Sequence, residues 1–569
     1  MSPRFESLQR SGRSYLRRFG SKQTLGSDLK AGLVLGVESV PDGLAAGLLA
    51  GVNPLHGLYG YLAGTVGGAL ATGSAFMTVQ ATGAMAVVIS DVPQTQSGAD
   101  AGRALATLAL LTGVIMLALG IAKLGSLVRF IPTAVLVGFI NAVAISIVLG
   151  QLDNFTGYES SGSNRILKAF DTVLHVFEFS WPSLLVGVTT VALILLLERT
   201  RLGALAMVVA IVCASGLAAF LGVIAPGNPV QLVASIAEVP NALPGLALPD
   251  FSLVLPLIVP ALSLALVGLV QGAAVTGSIP NPDGRYPDPS ADFRGQGIAN
   301  PAAGFFQGMP VGGSMSATAL VKAAGAKSAL ANLIAGAVMA VTILALGPVI
   351  GFIAMPALAG LLILVGFRTF KPHDIVMVWR TGPIQAAVFT VTFVLTLIIP
   401  LQYAVLTGVG LAVILHIARQ SNRITIRRWV FDGDSPLPRE TAPPATLTPG
   451  ELLILAPYGS LFFAAAPVFE AQLPHVPAHS ERSVVIIRLR GKEELGSTFI
   501  KIIDQYAGQL ATAGGALMLV GVSDKVREQL AVTGVLTRIG AERVFLATPA
   551  VGDSLTRAVT AAERWAARG

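Results

Sequence analysis

Apolar residues along this chain fall into long blocks. Between about Leu29 and Ile417 they recur in runs of roughly 17–25 residues, the length an α-helix needs to cross a bilayer core. The pattern predicts fourteen spans: 29–50, 55–73, 82–92, 104–123, 130–150, 182–198, 203–224, 252–278, 297–309, 317–326, 328–347, 349–367, 383–400 and 402–418. Two of these, 82–92 and 317–326, are too short for a full crossing. The first lies in "SAFMTVQATGAMAVVISDVP", after Gly73, and the second in "MPVGGSMSATALVKAAGAK", after Gly308. Each places small, polar or β-prone residues first and a brief helical stretch after them. Extended backbone at membrane depth is tolerated only where protein covers it or a cavity faces it. With seven spans per half, the short segments are the third and the tenth, and an odd number of spans inverts the second half relative to the first. Broken helices at matching places of inverted halves point to a transporter's binding site. The plainer alternative is a pair of Gly-rich packing helices.

Loop charges agree with this topology. Lys123 with Arg129, Arg199 with Arg201, Lys322 with Lys327, and Arg368 with Lys371 and Arg380 fall on the side of the N-terminus. Arg10, Arg13, Arg17, Arg18 and Lys22 precede the first span, and Arg419, Arg423, Arg427 and Arg428 follow the last. The loop 224–250 holds Glu238 and Asp250 and no Lys or Arg, on the opposite side. The loop 151–181 (Asp153, Glu159, Arg165, Lys168) is mixed. By the positive-inside rule both termini are cytoplasmic and the span count is even. The expected membrane is the inner, cytoplasmic membrane of the cell.

After Ile417 the composition changes. "DGDSPLPRETAPPATLTPG" (432–450) reads as a linker. "ELLILAP", "SLFFAAA", "VVIIRLR", "ALMLVGV" and "RVFLA" read as strands. The stretch from Ser497, the stretch "SDKVREQLAVTGV" and residues 554–567 read as helices, which together make a small sheet covered by helices. The predicted organisation is a cytoplasmic segment 1–28, a transmembrane domain 29–418, a linker 419–450 and an α/β domain 451–569.

Composition supports the membrane reading. Of 569 residues, 53% are hydrophobic and 12% charged, about half the charged share of an average soluble domain. The net charge of +7 resides largely in the span flanks, so it calls for no nucleic-acid partner. The single cysteine, Cys213, lies in an apolar span, forms no intrachain disulfide and reads as a buried thiol. The first ~28 residues lack the apolar core of a signal peptide. The spans contain no His/Cys/Asp cluster of catalytic type, and the α/β domain has no phosphate loop, metal-ligand spacing or nucleophile constellation. Neither an enzyme nor a cofactor is expected.

"VPDGLAAGLLAGVNPLHGLYGYLAG" and "FRGQGIANPAAGFFQGMPVGGSMSATALVKAAGAKS" resemble the two signatures of the SulP, or sulfate permease, family of anion transporters. The first carries Pro41, Gly43, Leu44, Ala45, Pro54, Gly57, Leu58 and Tyr59, and the second Gln296, Gly297, Asn300, Gly308, Pro310, Ser314, Ser316 and Gly325. The C-terminal part resembles a STAS domain, which usually follows such a membrane region. The resemblance implies an all-α polytopic domain of fourteen spans in two inverted sevens and a cytoplasmic α/β STAS domain. A core (spans 1–4 and 8–11) would move against a gate (spans 5–7 and 12–14) in a homodimer that transports anions by an elevator-like movement. The substrate would lie between the N-termini of spans 3 and 10. Relatives often carry an arginine after the Ser-x-Ser of span 10, where this chain has Ala317. Some carry an acid in span 8 where it has Gln271, which makes sodium coupling less expected.

The physics of such a site stands on its own. A half-helix offers unpaired N–H groups and the positive end of its dipole, and two such ends facing each other hold an anion without Arg or Lys. The candidate anion-binding stretches are Thr78, Gln80, Ala81, Thr82 and Gly83, and Ser314, Met315, Ser316, Ala317 and Thr318 with Ala319. N–H groups near Thr82, Gly83, Thr318 and Ala319, the hydroxyls of Thr78, Ser314, Ser316 and Thr318, and the Gln80 amide are the expected donors. Each hydroxyl also reads as a helix cap or a backbone-bonding group.

Glu38, in "LGVESVPDGLAAG", lies about three turns into span 1, where a charge is costly and marks function by default. The other reading is a structural carboxylate. Burial disfavours the charged form of a carboxylate, and a nearby anion does the same. Protonation of Glu38 before the anion is accepted would give proton–anion symport, with Asp42 a second candidate, Gln271 polar support, and Pro41 with Gly43 loosening the helix. The expected cargo is a small dicarboxylate (fumarate or succinate) or sulfate. The alternatives are a sodium-coupled or exchange-type bicarbonate or chloride carrier, a nucleobase permease, and a membrane receptor that does not transport. The STAS-like domain has room for a cytoplasmic protein partner. Ser497 and Thr498 start a helix there, as an N-cap or, as in some related domains, a phosphorylation site.

Overall fold

The computed structural model describes residues 18–568 except 97–99, 126–131, 163, 201, 226, 237–238, 400–402, 405–406, 409, 412–413, 416–423, 432–436, 460 and 462. Arg10, Arg13, Arg17, Arg129, Arg201, Glu238, Arg419, Arg423 and much of the predicted span 402–418 lie outside the described residues. The chain divides into two units, Met1–Ala412 and Val413–Gly569.

In the first unit a helix lies on each of the first thirteen predicted segments. Leaving helices under eight residues unlabelled, these begin with α1 (Leu25–Leu49), α2 (Pro54–Ala71), α3 (Gly83–Ser90), α4 (Ala101–Ile121) and α5 (Thr133–Leu149). α6 (Arg165–Leu174), α7 (Trp181–Leu197), α8 (Ala206–Ile224), α9 (Val254–Ser278) and α10 (Pro289–Phe305) follow. The unit ends with α11 (Met315–Ala323), α12 (Leu330–Gly351), α13 (Met355–Thr369), α14 (Pro372–Thr381) and α15 (Pro383–Ile398). Two short strands, β1 (Thr78–Gln80) and β2 (Gly312–Ser314), precede α3 and α11. Among the described residues, Leu25–Leu49, Ala101–Ile121, Thr133–Thr156, Ala206–Ile224, Phe251–Ser278 and Leu330–Gly351 are long and apolar enough to cross a membrane.

The structure departs from the hydropathy pattern where polar residues are drawn inside. α10 starts at Pro289 rather than 297. Asp288 accepts a hydrogen bond from the Ser290 N–H, Pro289 takes the first helical position, and Asp292 is buried two residues on. α12 continues to Gly351 through Pro348 with a kink at Leu346, so α13 begins at Met355 rather than 349. Neither α6 nor α14 is in the predicted set; each is an amphipathic segment inside a connection. α1 passes unbroken through Pro41. Gly43 serves packing rather than flexibility, since a Cβ there would lie 3.0 Å from the Leu58 Cα.

Small residues decide how the helices meet. A Cβ on Gly57 of α2 would lie 2.0 Å from the Gly43 carbonyl oxygen and 2.5 Å from the Gly47 nitrogen of α1. Gly297 meets the Leu117 backbone and Gly304 the Ala106 carbonyl, joining α10 to α4; Gly32 and Gly36 bring α1 onto α12. Close backbone approach of this kind is how helices associate where apolar burial gives no preference for protein over lipid. α1 to α4 and α9 to α12 pack into one group. α5, α7, α8, α13 and α15 form a second, in which Gly360 of α13 meets the Gly187 carbonyl of α7 and Gly138 of α5 meets the Phe389 carbonyl of α15.

The second unit is a six-stranded sheet with helices on both faces. Its strands are β3 (Thr425–Val430), β4 (Arg439–Thr441), β5 (Leu452–Tyr458), β6 (Val484–Arg488), β7 (Ala516–Val522) and β8 (Val544–Leu546), in the order β4-β3-β5-β6-β7-β8. β5 to β8 run parallel, and β3 is antiparallel to β4 and β5. α16 (Ser497–Thr512) packs Phe499, Ile503 and Leu510 against Val485, Ile487 and Leu519. α17 (Asp524–Val532) adds Val526 and Leu530 to the same core, and α18 (Asp553–Arg568) covers Ile486, Met518 and Val520 on the opposite face with Leu555, Ala558 and Ala562.

Three expectations change here. Within the stretch "SLFFAAA", of which Ser460 and Phe462 lie outside the described residues, Phe463–Ala465 is a helical turn rather than strand, followed by the helix Ala466–Glu470, and Ala465, Ala466 and Phe469 join the core. The stretch predicted as flank and linker, 419–450, contributes β3 and β4, with Arg428 paired to Glu451 at 3.0 Å. Gly496 is the N-cap of α16, and neither Ser497 nor Thr498 caps it; both are exposed in the first turn.

Gly57→Ala is expected to lower the thermal unfolding midpoint of the detergent-solubilised protein, in line with overpacking by roughly 1–3 kcal/mol. Gly216→Ala, where a Cβ meets nothing within 4 Å, serves as the control and should shift stability by no more than about 0.5 kcal/mol. Equal midpoints for the two variants would contradict the close α1–α2 contact.

Candidate functional site

The two interrupted segments come together. β1 and β2 pair antiparallel, Thr78 opposite Ser314, Val79 opposite Gly313 and Gln80 opposite Gly312. Each strand feeds directly into a short helix, α3 or α11. Thr82 caps α3 by accepting from the Met85 N–H at 3.3 Å, and Ser314 caps α11 by accepting from the Ala317 N–H at 3.3 Å. An antiparallel register relates the two strand-helix units by a local two-fold, which aims both helix N-termini at the strand pair. First-turn N–H groups not taken by these caps have no intrahelical partner.

Strands at this depth need every backbone group satisfied. Buried amides of the surrounding helices do this. Asn300 of α10 accepts from the Val311 N–H at 2.9 Å and donates to the Val311 carbonyl at 2.7 Å, while Gln296 accepts from the Gly313 N–H at 3.0 Å. Asn332 of α12 donates to the Met77 carbonyl at 3.2 Å and accepts from the Thr78 hydroxyl at 2.8 Å. Thr318 of α11 accepts from the Thr78 N–H at 3.1 Å and donates to the Ser314 carbonyl at 2.5 Å. Gly313 lets β2 rest on α9, where a Cβ would lie 3.0 Å from the Gly272 Cα. Below the strands, buried Asp292 accepts from the Ser74 N–H, the Ser74 hydroxyl and the Thr276 hydroxyl at 2.5–2.7 Å.

These bonds sort the predicted residues. Thr78 and Thr318 are buried and spend their hydroxyls on the framework. Gln80 donates to the Ser39 and Thr65 hydroxyls at 2.9 and 3.2 Å, so its amide supports β1 rather than offering a free donor. The Thr82 hydroxyl donates to Gln271 Oε1 at 2.8 Å, which joins α3 to α9. Ala81 and Ala317 are buried, Gly83 opens α3 opposite Ile147 of α5, and Met315 and Ser316 are exposed at the start of α11. The Ser316 hydroxyl lies 3.2 Å from that of Ser314. The expected hydroxyl ring therefore reduces to Ser316, with Ser314 and Thr82 in part, and first-turn N–H groups. Asn332, Ser39, Thr65 and Asp292 were not predicted; each is a polar residue within or beside an apolar run, and that signal was available for each.

Glu38 is partly buried in α1 and has no hydrogen-bond or ion-pair partner among the described residues. Asp42, one turn on, accepts from the Tyr61 hydroxyl at 2.7 Å. Ser39, next to Glu38, is the acceptor for Gln80, so this stretch of α1 is bonded to β1. A polar cavity of about 1130 Å³ lies elsewhere, at the C-terminal end of α3 and the N-terminal end of α7, lined by Asn53, Asp91, Asp153, Arg165, Lys168 and Gln231 among others. None of the predicted anion-binding residues lines it.

The profile of the sulfate permease family matches residues 25–392, and that of the STAS domain residues 443–549. The chain belongs to the sulfate permease family, and it is a multi-pass membrane anion transporter rather than an enzyme. YvdB of Bacillus subtilis (strain 168), named as a sulfate transporter, is 26% identical over 92% of this chain and 96% of its own length. The bicarbonate transporter BicA of Picosynechococcus sp. (strain ATCC 27264 / PCC 7002 / PR-6) is 28% identical over 77% of this chain and 79% of its own. Among solved structures, the murine Slc26a9 anion transporter in the inward-facing state superposes with a TM-score of 0.85 at 20% identity, covering 99% of this chain and 96% of that one. That likeness is one of fold: a helical membrane domain followed by an α/β STAS domain.

Asn300→Ala is expected to leave the Val311 N–H and carbonyl unpaired and to destabilise the protein by about 1–3 kcal/mol per group, read as a lower unfolding midpoint. Ser316→Ala should change stability by less than about 0.5 kcal/mol. Comparable losses in the two variants would show that Asn300 carries no special share of the strand framework.

Proposed function

We propose that the chain is a proton-coupled symporter of a small anion, a dicarboxylate such as fumarate or succinate or else sulfate, working by elevator-like alternating access. The anion is held between the N-termini of α3 and α11, by first-turn N–H groups and the Ser316 hydroxyl, with Ser314 and Thr82 shaping the site and Gln271 supporting Thr82. Thr78, Gln80 and Thr318 keep β1 and β2 in place. Ala317 leaves this site without a fixed positive charge, so the charge of the cargo is balanced by two helix dipoles and by a proton. The relatives named as sulfate and bicarbonate transporters support a small oxyanion as the cargo class.

The observation that carries the reading is Glu38, a carboxylate within α1 with no described partner, next to the Ser39 that bonds Gln80. An ionised carboxylate at the centre of a span is unfavourable by roughly 2.5–3.5 kcal/mol or more, and nothing described offsets it. In the proposed cycle the anion binds once Glu38 is protonated, and both leave together. Asp42, bonded to Tyr61, shares the local charge. The packing of α1–α4 with α9–α12, and of α5, α7, α8, α13 and α15 with one another, supports two groups that slide past each other. We infer further that the protein is a homodimer of the cytoplasmic membrane with both termini in the cytoplasm, where the STAS domain meets a protein partner.

Labelled fumarate uptake into proteoliposomes, driven by an inward proton gradient and competed by sulfate, bicarbonate or chloride, tests this. Gradient-dependent accumulation is expected. Glu38→Gln is expected to bind the anion yet to lose accumulation driven by the gradient. Undiminished proton-driven accumulation by that variant would remove Glu38 from the mechanism. Entry driven only by sodium or by internal chloride would replace symport with the bicarbonate or chloride reading.

A further inference from the structure

The two half-helices are alike at their N-termini and unlike at their C-termini. α11 ends within its own helix group: Lys322 of its last turn sits 3.9 Å from the Phe76 ring centroid, just before β1. α3 ends on a residue of another element. Arg165, the first residue of α6, donates to the Val87 carbonyl at 3.1 Å, the Ser90 hydroxyl at 2.5 Å and Asp91 Oδ1 at 2.7 Å. Val87 is in the last turn of α3, where carbonyls lack helical partners and a cation is favoured. The Ser90 hydroxyl in turn donates to the same Val87 carbonyl at 2.8 Å. The Arg165 and Asp91 side chains are only 22% and 18% exposed, at the wall of the large cavity.

α6 packs on α5 and α15, both in the second helix group. α3 packs against α1 and α9 of the first and also touches α5 of the second. The guanidinium thus spans the boundary between the groups, and does so at one end of one half-helix. We propose that Arg165 is a latch: it fixes α3, and with it the first-turn amides of α3, against the second group on the side of the 151–181 loop, and it releases each time that side opens. The proposal rests on the alternating-access reading above. Arg165 is a positioning residue in this role, since it acts on the anion through α3. Its bonds also close one wall of the cavity; Asp153, Glu159 and Lys168 line the same space.

A released latch shifts the population toward the state open on its own side. Apparent anion affinity then rises on that side and falls on the other, each in proportion to the population of its competent state. Uptake of labelled fumarate into proteoliposomes and its efflux from preloaded ones are measured for wild type, Arg165→Ala, Arg165→Lys, Asp91→Asn and the charge-exchanged pair Arg165→Asp with Asp91→Arg. A several-fold KM change of opposite sign in the two directions is expected for Arg165→Ala and Asp91→Asn, with recovery in Arg165→Lys and in the exchanged pair. Equal loss of rate in both directions without a KM split would overturn the latch in favour of plain destabilisation.

A second readout needs no transported anion. In a Cys213→Ser background, Leu49→Cys puts a thiol at a buried residue lining the cavity, 5% exposed in the native protein. In nanodiscs, Arg165→Ala should speed its labelling by a maleimide several-fold, and Arg165→Lys should restore the slower rate. An unchanged labelling rate overturns the latch even if fumarate is transported. A faster rate in a protein that transports no fumarate supports the latch while rejecting the symport reading.

Discussion

Everything around the candidate site depends on one requirement: polar backbone deep in an apolar domain must find partners inside the protein. Interrupting two helices exposes the N–H and C=O groups of β1 and β2, and water is not there to take them. The chain answers in two ways. The strands satisfy each other through their antiparallel register, and buried amides on α10 and α12 take what the register leaves. Asn300, Gln296 and Asn332 occupy positions in apolar helices that would be unfavourable without those bonds. With the bonds made, they fix where two helices begin, and so where two sets of unpaired N–H groups point.

Close packing makes that framework rigid, and it is done with glycine. Side chains at Gly57, Gly297 or Gly304 would collide with neighbouring backbone. The seams they form lie within the two helix groups, α1 with α2 and α12, α4 with α10, and α13 with α5 and α7. Fewer helices meet across the boundary between the groups. A domain built like this deforms most easily along that boundary, where the start of α3 faces α5 through Gly83 and Ile147.

The electrostatics follow the same division. The half-helix ends supply partial charges that need no counter-ion of their own. Of the carboxyl groups inside the first group, Asp292 is fully bonded, whereas Glu38 has no partner among the described residues. At the opposite end of α3 the Arg165 guanidinium bonds across the boundary.

Much of this was legible along the chain. Span-length apolar blocks, the two short segments after Gly73 and Gly308, the alternating strands and helices after Glu451, and a lone Glu38 are local features, because hydrophobic periodicity reports burial a few residues at a time. The side-chain directions were not legible. Thr78, Gln80 and Thr318 read as donors to an anion, yet each turns to Asn332, to Ser39 and Thr65, or to β1, since the preferred partner of a polar group is set by what the fold brings beside it. The same holds for the polar first turns of α10, drawn inside by the bonds of Asp292, and for β3 and β4, whose residues read as flank and linker until β5 gives β3 an edge to pair with. Arg165 and Asp91 are 74 residues apart. Composition set the solvent each segment prefers, and that determined the elements; only tertiary packing decided which polar group faces which, because that choice depends on neighbours distant in sequence.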